Sequence, residues 1–325
     1  SNDHRLGANE APPAIMSVYL GTQLEEVFEQ IKSGSISDSK SKGVMDLGID
    51  VLPPLSKDAG DRNRTSPFAF TGNRFEFRAV GSSQSVSGPL IALNTILADS
   101  LEFIANRLST EIGNGLDVDS AILTVLKEIM QEHGSVVFGG NGYSEEWHKE
   151  AVEVRGLKNL PTTADALPFL KADFIEELFA KTGVLTPREL ESRFEVYAEQ
   201  YIMSIEVEAK LVIDMAKTSI YPAAVDYLAK LSSTITSLVG LGIDLEKNSA
   251  KKVAELTNGL AGAIAKLEAA IAKDDFDSTE AHMQFMASDV RSLMNDVRAY
   301  ADGLESEVAD EFWPLPTYQE MLFIR

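Results

Sequence analysis

At 325 residues with 44% hydrophobic side chains, the chain can bury the cores of two compact domains, which excludes general disorder. Its 50 acidic and 29 basic side chains give a formal net charge of -21, and that charge disfavours nucleic acid and anionic membrane surfaces as partners. The sequence contains no cysteine, so disulfides, thiol catalysis and cysteine-ligated metals are excluded.

Targeting signals are not recognisable in the sequence. We expect no apolar run to reach the length of a membrane span, and no signal peptide is visible, so the cytoplasm is the default location. The chain opens with Ser1-Asn2 rather than methionine, which we interpret as a cloning remnant or a proteolytic end.

The first half of the chain mixes helices with short extended segments. Apolar residues at helical spacing predict a helix over 20–31. Extended segments are predicted at 67–70 and 74–80, the second from its alternation of charged and apolar residues. Apolar helices are then predicted over 89–108 and 119–132.

After about residue 160 the pattern is almost entirely helical. Thr186-Pro187-Arg188-Glu189 is a capping box, which predicts a helix from there to about Lys217, and Tyr221-Pro222 should restart or kink it. Apolar stripes over 244–273 and 277–308 predict two antiparallel helices joined by a short connection. Such stripes are typical of packing surfaces, so we expect the chemistry to lie in the first half.

Arginines are concentrated in one short region, where Arg62, Arg64, Arg74 and Arg78 fall within seventeen residues. On an extended strand, alternate residues share a face, so Arg74, Glu76 and Arg78 should project together. One interpretation is an exposed strand whose charges neutralise each other. The other is a pocket wall, since arginine forks bind carboxylate and phosphate and a glutamate can hold Mg²⁺ or Mn²⁺. The spacing alone leaves both open.

The segments at 62–66 (RNRTS) and 74–78 (RFEFR) resemble the paired Asn-Arg-Ser/Thr and Arg-x-Glu-x-Arg segments of glutamine synthetases. The opening at 4–13 (HRLGANEAPP) resembles the flap segment of the same family. The runs at 66–73 and 312–318 are similar to the long type III branch.

The resemblance implies an α+β fold. Residues 1–140 would be the C-terminal part of the catalytic domain, with antiparallel strands and helices. Residues 141–160 would connect it to an all-α helical bundle at 161–325. That bundle would correspond to the extra C-terminal domain of the type III branch.

The resemblance also implies roles for individual residues. Glu10 would be the flap glutamate that takes a proton from ammonium, and Arg5 would hold the α-carboxylate of substrate glutamate. Arg64 would neutralise phosphates of ATP and of the γ-glutamyl phosphate intermediate. Glu76 would be a ligand of Mg²⁺ or Mn²⁺, and Arg78 would lie at the reacting γ-carboxylate. The implied partners are glutamate, ammonium, ATP and further copies of the chain in stacked rings.

Some features depart from the family pattern. Many relatives carry a second phosphate-binding arginine at the position of Ala69, and the stretch from Arg5 to Glu10 is one residue shorter than in the commoner type. The family's other metal-binding side chains precede the flap and are missing here, so we expect this chain alone to be inactive. By spacing, the four histidines do not form a ligand cluster; they are His4, His133, His148 and His282.

Two alternatives stay open at this stage. A sister ligase could join glutamate to a larger amine, because the residues matched here serve only the glutamate and phosphate side of the reaction. The chain could also belong to a non-catalytic helical assembly module, in which the Arg/Glu strand is structural.

Overall fold

The computed structural model describes residues 14–34, 44–45, 55–56, 65–78 and 84–322. Within those ranges the chain is mainly helical, with short strands near its start. The strands are β1 (Val18–Tyr19), β2 (Val44–Met45), β3 (Leu55–Ser56), β4 (Phe68–Phe70) and β5 (Phe75–Phe77). The helices are α1 (Thr22–Ser33), α2 (Ser87–Gly113), α3 (Val118–His133), α4 (Glu145–Glu153), α5 (Thr163–Ala166), α6 (Asp173–Thr182), α7 (Pro187–Met215), α8 (Tyr221–Gly240), α9 (Asn248–Ile271), α10 (Thr279–Phe285), α11 (Arg291–Glu305) and α12 (Tyr318–Leu322).

Contacts divide the chain into two compact units, the first ending at Glu191 and the second beginning at Ser192. The α+β class predicted from the sequence is confirmed, since a small sheet near the start is followed by a long helical region. The domain limits predicted at 140 and 161 stay predictions.

A small sheet organises the start of the first unit. Strand β4 lies in its centre, parallel to β1 and antiparallel to β5. The β4–β5 connection is tight: Thr71 N–H donates to the Arg74 carbonyl at 2.9 Å, and Gly72 takes a φ of 99° that favours glycine. Both extended segments predicted from the sequence are thereby confirmed for their described residues.

An aromatic cluster forms the core beside this sheet. Trp147 is 1% exposed and packs with the buried Ile15 and Ala151. Its ring stacks on Phe138 with centroids 3.5 Å apart. The N–H of Phe138 donates to the carbonyl of Val18 at 2.9 Å, so this core is joined to the edge of the sheet.

Helices α2 and α3 pack against each other and are tied by charge. Arg107 on α2 lies 2.7 Å from Glu128 on α3 and 3.2 Å from Glu111 on its own helix. The N-cap Asp117 accepts a hydrogen bond from the N–H of Ser120 at 3.1 Å, which explains where α3 begins. Both helices were predicted from their apolar periodicity, with ends a few residues inside the observed ones.

Helix α2 corrects one expectation from the sequence. It is 27 residues long, and an 18-residue window in it has a mean hydropathy of 1.3 and is 6% buried, so length and composition alone make it a candidate membrane span. Buried core helices of soluble proteins can meet the same two criteria, but this window of α2 is mostly exposed in the described structure. Two carboxylates near the middle of α2, Asp99 and Glu102, lie 2.6 and 2.8 Å from Lys181 on α6. An aspartate at the centre of a bilayer would cost about 2.5–3.5 kcal/mol.

The capping box predicted before α7 is confirmed. Thr186 N–H donates to the Glu189 carboxylate at 2.8 Å, while Glu189 N–H donates to the Thr186 hydroxyl at 3.3 Å. The restart at Tyr221-Pro222 is also confirmed. A π-helical turn at Ala216–Ile220 joins α7 to α8, because Pro222 has no N–H to continue the regular pattern.

Helices α9 and α11 form the predicted pair in the second unit. The buried residues of the two stripes are Val253, Leu260, Ile264 and Leu267 on α9, and Met283, Met286, Val290, Val297 and Leu304 on α10, α11 and the π-helical turn between them. Tyr300 departs from the expected pattern, since it is 37% exposed. Its ring lies against Gly259, where a Cβ would come within 2.1 Å of the ring.

Candidate active-site strand

The β4–β5 hairpin separates an aromatic face from a charged one. Cross-strand partners are Phe68 with Phe77 and Phe70 with Phe75, and their ring centroids lie 4.7 and 5.3 Å apart. Glu76 lies opposite Ala69, which is fully buried. The period-two prediction for this strand is therefore confirmed by the structure.

The charged face is a continuous ion-paired row. Arg74 lies 2.8 Å from one oxygen of Glu76, and Arg78 lies 3.2 Å from the other. The side chain of Arg78 is 13% exposed, whereas that of Arg74 is 70% exposed. Arg78 thus lies largely within the protein and Arg74 largely in solvent, with the carboxylate between them.

These arginines set the protonation state of Glu76. The hydrogen bond from Arg74, followed by that from Arg78, lowers the pKa of the Glu76 carboxyl below its ordinary value, against a smaller opposing effect of burial. Glu76 is therefore held as an anion at neutral pH. An ionised carboxylate beside guanidinium groups can hold a hard cation or orient a phosphorylated carboxylate.

Two buried serines link the segment before β1 to the segment before β4. The hydroxyls of Ser17 and Ser66 are 2.7 Å apart, and the Ser66 hydroxyl donates to the Phe138 carbonyl at 3.2 Å. Each hydroxyl has one proton, so Ser17 donates to Ser66. Sequence reasoning missed this pair, because isolated serines give no periodic signal. Ser66 fixes the backbone two residues after Arg64 and immediately before the hairpin.

The chain meets the requirements of a metal site only in part. Glu76 supplies a carboxylate of the type that Mg²⁺ and Mn²⁺ prefer. Among the described residues no group of three or more His, Cys, Asp or Glu side chains could hold an ion. Glu76 fits as one ligand, and both of its oxygens are engaged by arginine. A complete ligand set would need side chains beyond the described ones.

The predicted site residues are distributed unequally. The structure brings Glu76 and Arg78 together on one face of β5. Arg5, Glu10 and Arg64 lie outside the described residues, so their predicted roles stay predictions.

The described histidines have separate surroundings. His148 lies 3.2 Å from the Gly142 carbonyl, and the ring of His282 stacks on Phe276 with centroids 4.2 Å apart. Burial lowers the pKa of His282. The side chain of His133 is 61% exposed.

Comparison with known proteins agrees with the resemblance noted in the sequence. Residues 121–239 match the family model described as glutamine synthetase C-terminal domain. All of the chain aligns with a type-3 glutamine synthetase of Dictyostelium discoideum at 42% identity over 334 residues. It also aligns with proteins named glutamine synthetase from Bacteroides fragilis, at 34% identity over 338 residues, and Butyrivibrio fibrisolvens, at 35% over 328 residues.

Along its whole length the chain is similar to proteins of the glutamine synthetase family. Within that family its resemblance is to the type III branch, the branch named by the Dictyostelium relative. The chain spans 45% of the length of that relative and 46% of each of the two bacterial ones.

Proposed function

We propose that this chain is part of an ATP-dependent ligase that forms glutamine from glutamate and ammonia through γ-glutamyl phosphate. The observation that carries the proposal is the row formed by Arg74, Glu76 and Arg78 on β5. It supplies a carboxylate that is ionised at neutral pH beside a largely buried guanidinium. Phosphorylating a carboxylate builds negative charge on phosphoryl oxygens, and arginine together with a divalent metal stabilises such charge.

The roles follow the family motif residue by residue. Arg78 would lie at the γ-carboxylate and Arg64 at the phosphates, while Arg5 would hold the α-carboxylate of glutamate. Glu10 would take a proton from ammonium. Glu76 would be one ligand of Mg²⁺ or Mn²⁺, which when bound would neutralise phosphate charge. The Arg74 side chain is mostly in solvent, so breaking its ion pair with Glu76 would cost little free energy. That would leave one oxygen of Glu76 available to the metal.

The exposed apolar surface of α2 supports the view that the chain works within a longer polypeptide. Only Thr95 of this helix is buried, while Leu97 and Leu101 are 57% and 56% exposed. Soluble proteins rarely leave a contiguous surface of this kind uncovered. We propose that the remainder of the synthetase polypeptide covers α2, since relatives are about twice as long as this chain.

We further propose that the complete enzyme is a cytoplasmic homo-oligomer whose helical region takes part in assembly. Support comes from an apolar stripe on α7, on the opposite side from its buried residues. Val196, Met203, Val207 and Leu211 of this stripe are 56–65% exposed. Their spacing of four or seven residues places them along one face of the helix.

The test compares two purified proteins. A full-length parent containing this segment should form glutamine from glutamate, ammonium and Mg-ATP, and should do so faster with ammonium than with putrescine or another polyamine. The 325-residue chain alone should show no γ-glutamyl transfer above background, even with Mn²⁺ and ADP, because its described residues contain no group of three or more side chains that could hold a metal ion. Turnover by the fragment, or a parent that prefers the polyamine, would overturn the proposal.

A further inference from the structure

A cleft in the first unit lies between α1 and the segment at 134–139. Its volume is about 480 Å³, within the range of small-molecule sites. Four residues of α1 line it, namely Glu25, Phe28, Glu29 and Lys32, and Phe138 and Arg155 also line it. None of these residues belongs to the charged row of β5, on which the proposed function rests.

The cations of the cleft already have partners within the protein. Arg155 donates through Nε and Nη2 to Glu150 at 2.9 and 2.7 Å. Its Nη1 donates to the carbonyls of Ser135 and Val137 at 3.2 and 2.7 Å. Four of the five guanidinium protons are therefore used. Lys32 lies 3.5 Å from Glu29 on its own helix.

Glu25 differs from these groups. Its Oε1 atom is buried and has no hydrogen-bond partner among the described residues. The carboxylate lies against Gly139, where an added Cβ would come within 2.8 Å of Oε1. A carboxylate oxygen that is removed from water without a donor is costly, so the cleft lacks a positive hydrogen-bond donor at this point.

The aromatic side chains of the cleft indicate what the uncharged part of a ligand should be. The ring of Phe28 lies against Gly134, at 3.4 Å from where a Cβ would be. The ring of Phe138 is fixed on its other side by stacking with Trp147. These rings line the same cleft as Glu25 and offer an apolar surface to the body of a ligand.

We propose that this cleft binds a small primary amine in its ammonium form, with the ammonium group donating to the Glu25 carboxylate and an apolar or aromatic body packing on Phe28 and Phe138. The sign of the required charge follows from the unpaired carboxylate, and the apolar body follows from the aromatic walls. Gly139 leaves the carboxylate the room that this arrangement needs.

Isothermal titration of the 325-residue chain with 2-phenylethylamine tests the proposal. Two compounds with nearly the same body serve as comparators: 2-phenylethanol lacks the charge, and 3-phenylpropionate reverses it. We expect saturable binding of the amine at one site and at least tenfold weaker binding of both comparators. No binding of the amine, or equal binding of the alcohol, would overturn the proposal.

Variants then locate the site. Glu25→Gln should weaken amine binding at least tenfold, and Gly139→Ala should weaken it as well by displacing the carboxylate. Glu153→Gln is the matched control, because it removes the same charge at an exposed residue of α4 that does not line the cleft. It should change binding less than twofold. Equal losses in Glu25→Gln and Glu153→Gln would show general attraction to an acidic surface and would overturn the proposal.

Folding of each variant is checked by circular dichroism before titration. If Glu25→Gln does not fold, Gly139→Ala decides the question, since that residue lies outside the regular elements and changes no charge. Unchanged amine binding in a folded Gly139→Ala protein would contradict the proposed position of the ammonium group.

Discussion

The protonation state of Glu76 is set by its two neighbouring arginines. Arg74 and Arg78 approach different oxygens of the same carboxylate, and together they lower its pKa. Because the folded pKa lies below the ordinary value, these pairs stabilise the fold above the pKa of the unfolded chain. That contribution is lost as the pH falls through the folded pKa.

We therefore expect Arg74→Gln to raise the pKa of Glu76 towards its ordinary value. The hydrogen bond from Arg74 is the largest cause of the lowered pKa, and glutamine carries no charge. A carboxyl-detected NMR titration of the 325-residue chain measures the change.

Arg298→Gln is the control for that titration. Arg298 is an exposed arginine on α11 that pairs with Asp302, so its replacement should leave the titration of Glu76 unchanged. An unshifted Glu76 pKa in Arg74→Gln would contradict the ion-paired geometry.

At the scale of elements, the α9–α11 pair depends on close approach at glycine. The ring of Tyr300 occupies the position that a side chain at residue 259 would need. Gly262, on the same helix, has no atom within 4 Å of its missing Cβ. These two glycines therefore differ in packing and share the same intrinsic helix propensity.

Gly259→Ala and Gly262→Ala should consequently have opposite effects. Alanine at 262 should stabilise the protein by about 1 kcal/mol, the difference in helix propensity. Alanine at 259 should be destabilising, since displacing a packed ring costs about 1–3 kcal/mol and exceeds the same gain. Thermal or urea unfolding of the two variants measures the difference. Equal stabilisation of both would show that Tyr300 does not pack closely on α9.

The elements also show what the sequence could predict. Long helices were found because their signals are local: the stripe of α9, the Thr186–Glu189 capping box and the proline at 222 each act within a few residues. The expectation that no apolar run is long enough to span a membrane was wrong for α2. Asp99 and Glu102 interrupt its apolar residues, so the high mean hydropathy of the whole helix was not recognised in the sequence. The exposure of Tyr300 could not be predicted, since it depends on a glycine in another helix.

In the candidate site, too, local patterns were predictable from the sequence and contacts between distant residues were not. The shared face of Arg74, Glu76 and Arg78 follows from strand periodicity, and the structure confirms it. The Ser17–Ser66 hydrogen bond joins residues 49 positions apart and has no sequence pattern. The unpaired oxygen of Glu25 depends on Gly139, which only the folded chain brings beside it. Contacts between distant segments were therefore the part that periodicity missed.

At the scale of the whole molecule, the proposed assembly role of α7 can be tested in a full-length parent. Leu211→Glu should reduce the size of the oligomer, because a carboxylate buried in a subunit interface is unfavourable. Ser292→Glu introduces the same charge at an exposed position of α11 and should leave the size unchanged. Light scattering during size-exclusion chromatography measures both. An intact oligomer with Leu211→Glu would place the subunit contacts elsewhere.

The most direct test of the account is the activity of the full-length parent after changes on β5. Glu76→Gln removes the charge of the proposed metal ligand at nearly constant volume, and Arg78→Lys removes the planar fork. We expect each to lower the rate of glutamine formation by roughly a hundredfold or more. Oligomer size should not change, and Glu153→Gln, at an exposed position of α4, should keep normal activity. Near-normal rates in both β5 variants would contradict the account and leave the charged row a structural feature of the strand.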